Sequence, residues 1–320
     1  MVRFAPSNTP YFGFMHRFVI LGLLLFLNGC NFLNTPLREP LQGTCECPYD
    51  LDRSGNPCGE KSAYSRPGGT QPACYIGEGS TLPDDPLALG NPSNATTDPN
   101  NRTNYLMNKP QYALSYNSQT GTANWASWQL NSSWLGSTDR QDDFRPDDTL
   151  PPEFYRVMPN DYRGSGYDRG HIVPSADRTR NTADNSATFV MTNMMPQTAA
   201  NNREVWRELE EYCRELVGVG QQLYIFAGPE GQKGSIANGK VTVPQYTWKV
   251  IVVLDRSESA VTEKTRTIAV RVPNTEDIAD RNWRDYQVSI DVLEAATGYD
   301  FLSNVSQNVQ RSIESRVGDS

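Results

Sequence analysis

The 320 residues contain two histidines, His16 and His171. His16 falls in a segment with the character of a removable leader, so any imidazole chemistry of the mature chain runs through His171. One histidine cannot build a multi-histidine metal cage, which excludes the two-histidine metalloprotease helix. His171 ends the string Asp168-Arg169-Gly170-His171, after Gly164-Ser165-Gly166 and before Ile172-Val173-Pro174. A lone histidine is more often structural, so the string gains weight only from its downstream company. That company is Asn193 in Thr192-Asn193-Met194-Met195-Pro196-Gln197, then Asn202, Trp206, Glu210 and Arg214.

The elements that must position these groups are legible in part. Periodicity predicts a helix over about 203–217, capped by Asn201 or Asn202 and followed by Gly218. Val205, Trp206, Leu209, Tyr212, Cys213 and Leu216 form its apolar stripe, with Cys213 expected as a buried free thiol. At about 100° per residue, Glu210 and Arg214 lie roughly 80° and 120° round from Asn202, flanking that stripe. An amide oxygen, a carboxylate and a guanidinium along one edge suit a phosphate and a hard cation. Without His171 the same residues read as an exposed Glu–Arg pair behind an Asn cap. Alternation at Tyr112, Leu114 and Tyr116 predicts a half-buried strand, and residues 125–130 a second. Apolar runs at Leu223–Ala227, Trp248–Leu254 and Thr267–Val272 predict central strands, and Asp291–Ala296 a short helix. Strands and helices do not alternate regularly. The expected fold is α+β, a central mostly antiparallel sheet flanked by helices, preceded by a small disulfide-rich module.

The chain carries 29 Lys+Arg against 37 Asp+Glu, a formal charge of −8 that excludes a wholly basic nucleic-acid-binding surface. Arg3 and Arg17 precede the apolar run Phe18–Leu27, half the length of a membrane span, and the run ends in Asn28-Gly29-Cys30. Residues 1–30 read as an export signal whose end resembles the lipobox of bacterial lipoproteins. Cys30 is then the lipidation site of a protein anchored to a bacterial membrane and facing periplasm or exterior. Plain secretion is the alternative. Residues 31–76 hold Cys45, Cys47, Cys58 and Cys74, read as a disulfide framework with three pairings open. Asp50, Asp52 and Asn56 around Gly55 resemble an acidic calcium loop that lacks its closing Glu. Residues 77–103 are turn formers and polar groups, read as a flexible linker, and residues 104–320 as the large domain.

Taken together, the Asp168–His171 string, the Thr192–Gln197 string and Asn202…Trp206…Glu210…Arg214 resemble the DNA/RNA non-specific endonucleases, ββα-metal (His-Me finger) enzymes. The wording over about 104–320, including Trp128–Trp134 and Thr297–Ser303, is similar to the cyanobacterial sugar-non-specific nucleases. The resemblance implies a ββα-metal finger and Mg²⁺- or Mn²⁺-dependent hydrolysis of DNA and RNA to 5′-phosphate ends, without sequence preference or organic cofactor. It implies His171 as general base and Asn202 as the direct metal ligand, with Glu210 and Asp168 acting on the metal through water. Arg140, Arg169 and Arg214 would hold the phosphate and offset transition-state charge, and Asn193 would join them in substrate binding. Residues 162–181 are net +2 and the helix 203–217 net −2, so a turnover enzyme is expected, without a salt-stable grip on nucleic acid. The rival reading is a catalytically inactive cell-surface binding lipoprotein that keeps the nuclease fold.

Overall fold

The computed structural model describes residues 40–63, 65–66, 85–255, 258 and 260–318. The leader with Cys30, and Cys74 of the module, lie outside them. In chain order the large domain runs β1 (Tyr105–Asn108), β2 (Ala113–Asn117), β3 (Thr122–Leu130), β4 (Asp168–His171) and α1 (Thr182–Ala187). It continues with β5 (Met194–Gln197), α2 (Trp206–Gly218), β6 (Gln222–Glu230), β7 (Gly234–Ile236), β8 (Val241–Val243) and β9 (Tyr246–Leu254). It ends with β10 (Arg266–Pro273), β11 (Gln287–Val288), α3 (Ile290–Thr297) and α4 (Gln307–Glu314).

Seven strands form an antiparallel sheet in the order β1-β2-β3-β6-β9-β10-β11. In it Leu130 at the end of β3 faces Leu223 of β6. Both faces are covered, which is why its central strands read as continuous apolar runs rather than alternating ones. On β9, Ile251 and Val253 face a core shared with Val205, Trp206 and Leu209. Trp248, Val250 and Val252 face the opposite core, closed by Leu293, Phe301 and Ile313. Lys249 has the parity of Ile251 and so points at the α2 side, a buried cation where a hydrophobic residue is the rule. No helix among the described residues is long and apolar enough to cross a membrane.

Two sequence expectations change. The strand predicted as half-buried is buried on both faces, since Ser115 is as inaccessible as Leu114. The stretch expected as linker is the second: from residue 85 onward that chain is packed on the sheet. Leu89 is 1% exposed in the second core. The Ser127 hydroxyl donates to the Pro86 carbonyl at 2.5 Å, and Trp125 Nε1 donates to Ser93 Oγ at 2.8 Å. The polar composition arises because Asn91 and Asp98 bond nearby backbone N–H groups, a local use of Asn and Asp that mimics linker chemistry.

In the cysteine module Cys45 is bridged to Cys58, and Cys47 is also in a disulfide. Asp50 is fully buried and accepts from the Leu41 and Cys47 amides, while Asp52 accepts from Ser54 and Asn56. These carboxylates serve the module's own backbone, which accounts for the calcium-loop likeness.

Leu89→Ala should destabilise the domain by about 2–5 kcal/mol, the cost of truncating a buried leucine. Urea denaturation measures it, and a change near zero would show that residues 85–103 do not pack.

Candidate active site

The strands β4 and β5 pair antiparallel, with Asp168 opposite Gln197 and His171 opposite Met194. Gly170 is required by closeness: a Cβ there would lie 1.8 Å from Oε1 of the buried Gln197. From β5 the chain turns directly into the helix that carries the remaining polar groups. Its start is capped by Thr198 and Glu276, not by Asn201 or Asn202. Thr198 Oγ1 accepts from the Asn201 amide at 3.3 Å, and the Glu276 carboxylate accepts from the Ala199 and Ala200 amides at 3.0 and 3.1 Å. Asn201 is instead buried, donating to Thr247 Oγ1 and the Pro273 carbonyl. Residues Asn201–Val205 form a π-helical turn before α2 begins. A π turn holds one residue more than an α turn, so it takes up much of one ~100° step. The separations of roughly 80° and 120° expected for a uniform helix therefore shrink. Asn202, Glu210 and Arg214 line one cleft of about 370 Å³ with Arg140, Arg169 and His171.

His171 lies against Phe189, ring centres 4.8 Å apart edge to face, and against Phe144 at 5.6 Å. Its Nε2 is sealed from solvent and has no hydrogen-bond partner. Burial in this aromatic pocket, seconded by the positive charges of Arg140 and Arg169, pulls the imidazole down to about 3. The ring is neutral throughout the physiological range.

Asp168 makes the contacts that place Asn202. Its Oδ2 accepts from Asn202 Nδ2 at 2.9 Å and from Arg203 Nε at 2.7 Å, and its Oδ1 from Arg203 Nη2 at 2.6 Å. The Arg203 hydrogen bonds hold its carboxyl below the usual range, so it stays ionised. Both oxygens accept from protein donors, so Asp168 also fixes the orientation of Asn202. With its NH₂ group fixed, the Asn202 amide oxygen has no partner among the described residues.

Glu210 is the half-buried carboxylate of the cleft. Burial pushes it up to about 7 against the opposing pull of Lys249, whose Nζ is 3.6 Å away. Lys249 is 1% exposed and sits 4.3 Å from the Trp206 ring centre and 5.7 Å from that of Trp128. Arg214 donates to Asp177 Oδ1 at 2.9 Å, and Trp128 Nε1 holds the other oxygen at 3.0 Å. Arg140 donates to Ser175 Oγ at 2.8 Å and stacks over Phe189 at 4.8 Å. Arg169 stacks over Phe144 at 4.0 Å and has no ion pair among the described residues. The arrangement supplies a neutral imidazole, an anchored amide oxygen, a half-buried carboxylate and five guanidinium groups, those of Arg203 and Arg207 joining Arg140, Arg169 and Arg214, around one space.

Asn193 is not among them. It is fully buried, with its amide donating to the Val173 and Thr188 carbonyls and accepting from the Val173 amide. All its hydrogen-bonding capacity facing the chain is used to clamp the segment after His171, so the substrate-binding expectation is corrected to a structural one. Sequence reasoning missed Lys249, Asp177, Glu276 and the two phenylalanines. Lys249 alone carried a signal, as the single charge in an otherwise apolar strand.

A family described as DNA/RNA non-specific endonuclease matches residues 89–308. A protein of a Nostoc species named simply nuclease is 62% identical over 234 residues, spanning 72% of this chain and 85% of that protein. The human mitochondrial nuclease EXOG is 31% identical over 210 residues, spanning 61% of this chain and 56% of its own. Among solved structures, a crystal structure of the EndoG/EndoGI complex matches with TM-score 0.60 at 25% identity, covering 69% of this chain and 91% of that one.

An NMR titration of the imidazole resonances tests the electrostatics of the pocket. His171 should show no protonation from pH 8 to pH 5, because its folded value of about 3 lies below that window. A titration centred near 6.5, the unperturbed value, would contradict the sealed environment.

Proposed function

The chain belongs to the DNA/RNA non-specific endonuclease family, and from that premise we propose that it is a metal-dependent endonuclease cleaving DNA and RNA phosphodiesters to 5′-phosphate ends. The observation that carries this reading is the convergence of a neutral His171, an unpartnered Asn202 oxygen and five arginines on one cleft.

The donor set fits a hard divalent cation. The free Asn202 oxygen is a neutral oxygen ligand, and the Glu210 carboxylate, raised by burial, sits where a positive charge would be welcome. Asn202 would hold Mg²⁺ or Mn²⁺ directly, and Glu210 would hold its waters. When bound, the ion would supply charge stabilisation for the leaving 3′ oxygen.

The protein's own groups do the rest. His171 takes a proton from the attacking water at Nδ1, since Nε2 is shut away from solvent. A neutral ring is the form a general base needs, and the pocket keeps it neutral. Arg169, stacked but not ion-paired, is the most available of the five guanidinium groups for a phosphate oxygen. Arg140 and Arg214, braced by Ser175 and Asp177, border the same phosphate and offset the charge that grows during attack. Contacts of this kind read the backbone and carry no sequence information. The leader-like residues 1–30 extend the reading to an exported protein, held at a bacterial membrane when Cys30 carries a lipid.

Purified chain incubated with plasmid DNA or with RNA should degrade both in Mg²⁺ or Mn²⁺ and neither in EDTA. Intact polymers under every metal would overturn the reading in favour of an inactive binding protein. His171→Ala should lower cleavage by about 10²–10⁴-fold with the circular dichroism spectrum unchanged. Asn202→Ala should raise the metal concentration at half-maximal rate, and an identical metal titration would remove it as a ligand.

A further inference from the structure

On the face of the sheet opposite the active site, α3 and α4 close the second core through Leu293 and Ile313. Asp291 and Glu294, one turn apart on α3, and Glu314, the last residue of α4, bring carboxylate oxygens within 4.8 Å of one another. Three like charges so placed repel, and no Lys or Arg pairs with any of them among the described residues. Asp300, on the connection between the helices, adds a fourth negative charge nearby and raises both Glu294 and Glu314 further.

Glu314 makes the cluster more than an exposed acidic patch. The residue is 5% exposed, and its Oε1 is sealed from solvent without a hydrogen-bond donor among the described residues. It also ends a helix, where the backbone dipole disfavours an anion. Glu294 has one oxygen engaged, Oε1 accepting from the Phe301 amide at 3.0 Å, which leaves the other free. A buried carboxylate with neither donor nor counter-charge is strongly unfavourable, so something positive belongs at this point.

We propose that Asp291, Glu294 and Glu314 form a second cation site, of the calcium class, that pins α4 to α3 and stands apart from the active site. Oxygens within 4.8 Å of one another fit on a sphere of the 2.3–2.6 Å radius that calcium uses. Magnesium is bound through one or two carboxylates with most of its water kept, so three converging carboxylates favour the larger ion. The role is structural: neither helix contributes a residue to the catalytic cleft.

Thermal unfolding of the full chain, in Ca²⁺ or in EGTA, tests this against Asp291→Asn/Glu314→Gln. In wild type, Ca²⁺ at a hundredfold over its Kd should raise Tm by roughly 5–10 °C relative to EGTA. The double variant should lose that rise, and equilibrium dialysis should count one calcium ion fewer per chain. Any calcium taken by the catalytic cleft remains in both proteins and cancels in the difference. In EGTA the double variant should melt no lower than wild type, because it removes repulsion, so misfolding cannot imitate the result. An equal rise in both proteins would overturn the proposal. So would a wild type indifferent to calcium whose stability falls as pH rises through 8, since a shared proton then fills the site.

Discussion

Everything in the cleft is referenced to one carboxylate. Asp168 grips Arg203 with both oxygens and Asn202 with one, joining β4 to the π turn across 34 residues of chain. Arg203 is 67% exposed, so the ion pair contributes little to global stability. Its value is geometric: it spends the Asn202 NH₂ group on protein and leaves the amide oxygen pointing at open space. His171 lies on the same strand, three residues on, so the imidazole and the Asn202 oxygen are set from a common origin. The π turn completes the arrangement by rotating the helix so that Glu210 and Arg214 face what Asn202 faces.

Burial acts on the two titrating groups in opposite senses. The aromatic pocket drives His171 down to about 3, while the same desolvation drives Glu210 up to about 7. Each shift favours the uncharged form. For the imidazole that is the form the proposed general base requires. For the carboxylate it is opposed by Lys249, which rises from the sheet between two tryptophans. The buried lysine and the half-buried glutamate each depend on the other, since removing either strands a charge.

Much of this was legible in the residues. Short apolar runs marked β6, β9 and β10, and Asp168, His171, Asn202, Glu210 and Arg214 announced the cleft by their order. What was not legible depends on long-range closure. The cap at the start of the helix comes from Glu276, more than seventy positions downstream, and no local pattern announces it. Asn193 looked like a substrate group because an exposed and a fully buried Asn share one letter. Residues 85–103 looked like a tether because Asn, Asp and Ser serve both packed turns and solvated chain. The π turn left no trace in periodicity, since one extra residue merely shifts the phase of the stripe.

The entire catalytic finger is an excursion between two neighbouring strands. It leaves the sheet at Leu130 and returns at Leu223, directly opposite. Every group proposed to touch substrate, from Arg140 to Arg214, lies inside that excursion, yet its supports do not. Lys249 arrives with β9, Asn274 fastens Thr198 and Pro196, and Glu276 caps the helix. A chain ending before β9 therefore carries every group that lines the cleft and lacks the Lys249, Asn274 and Glu276 that fasten them.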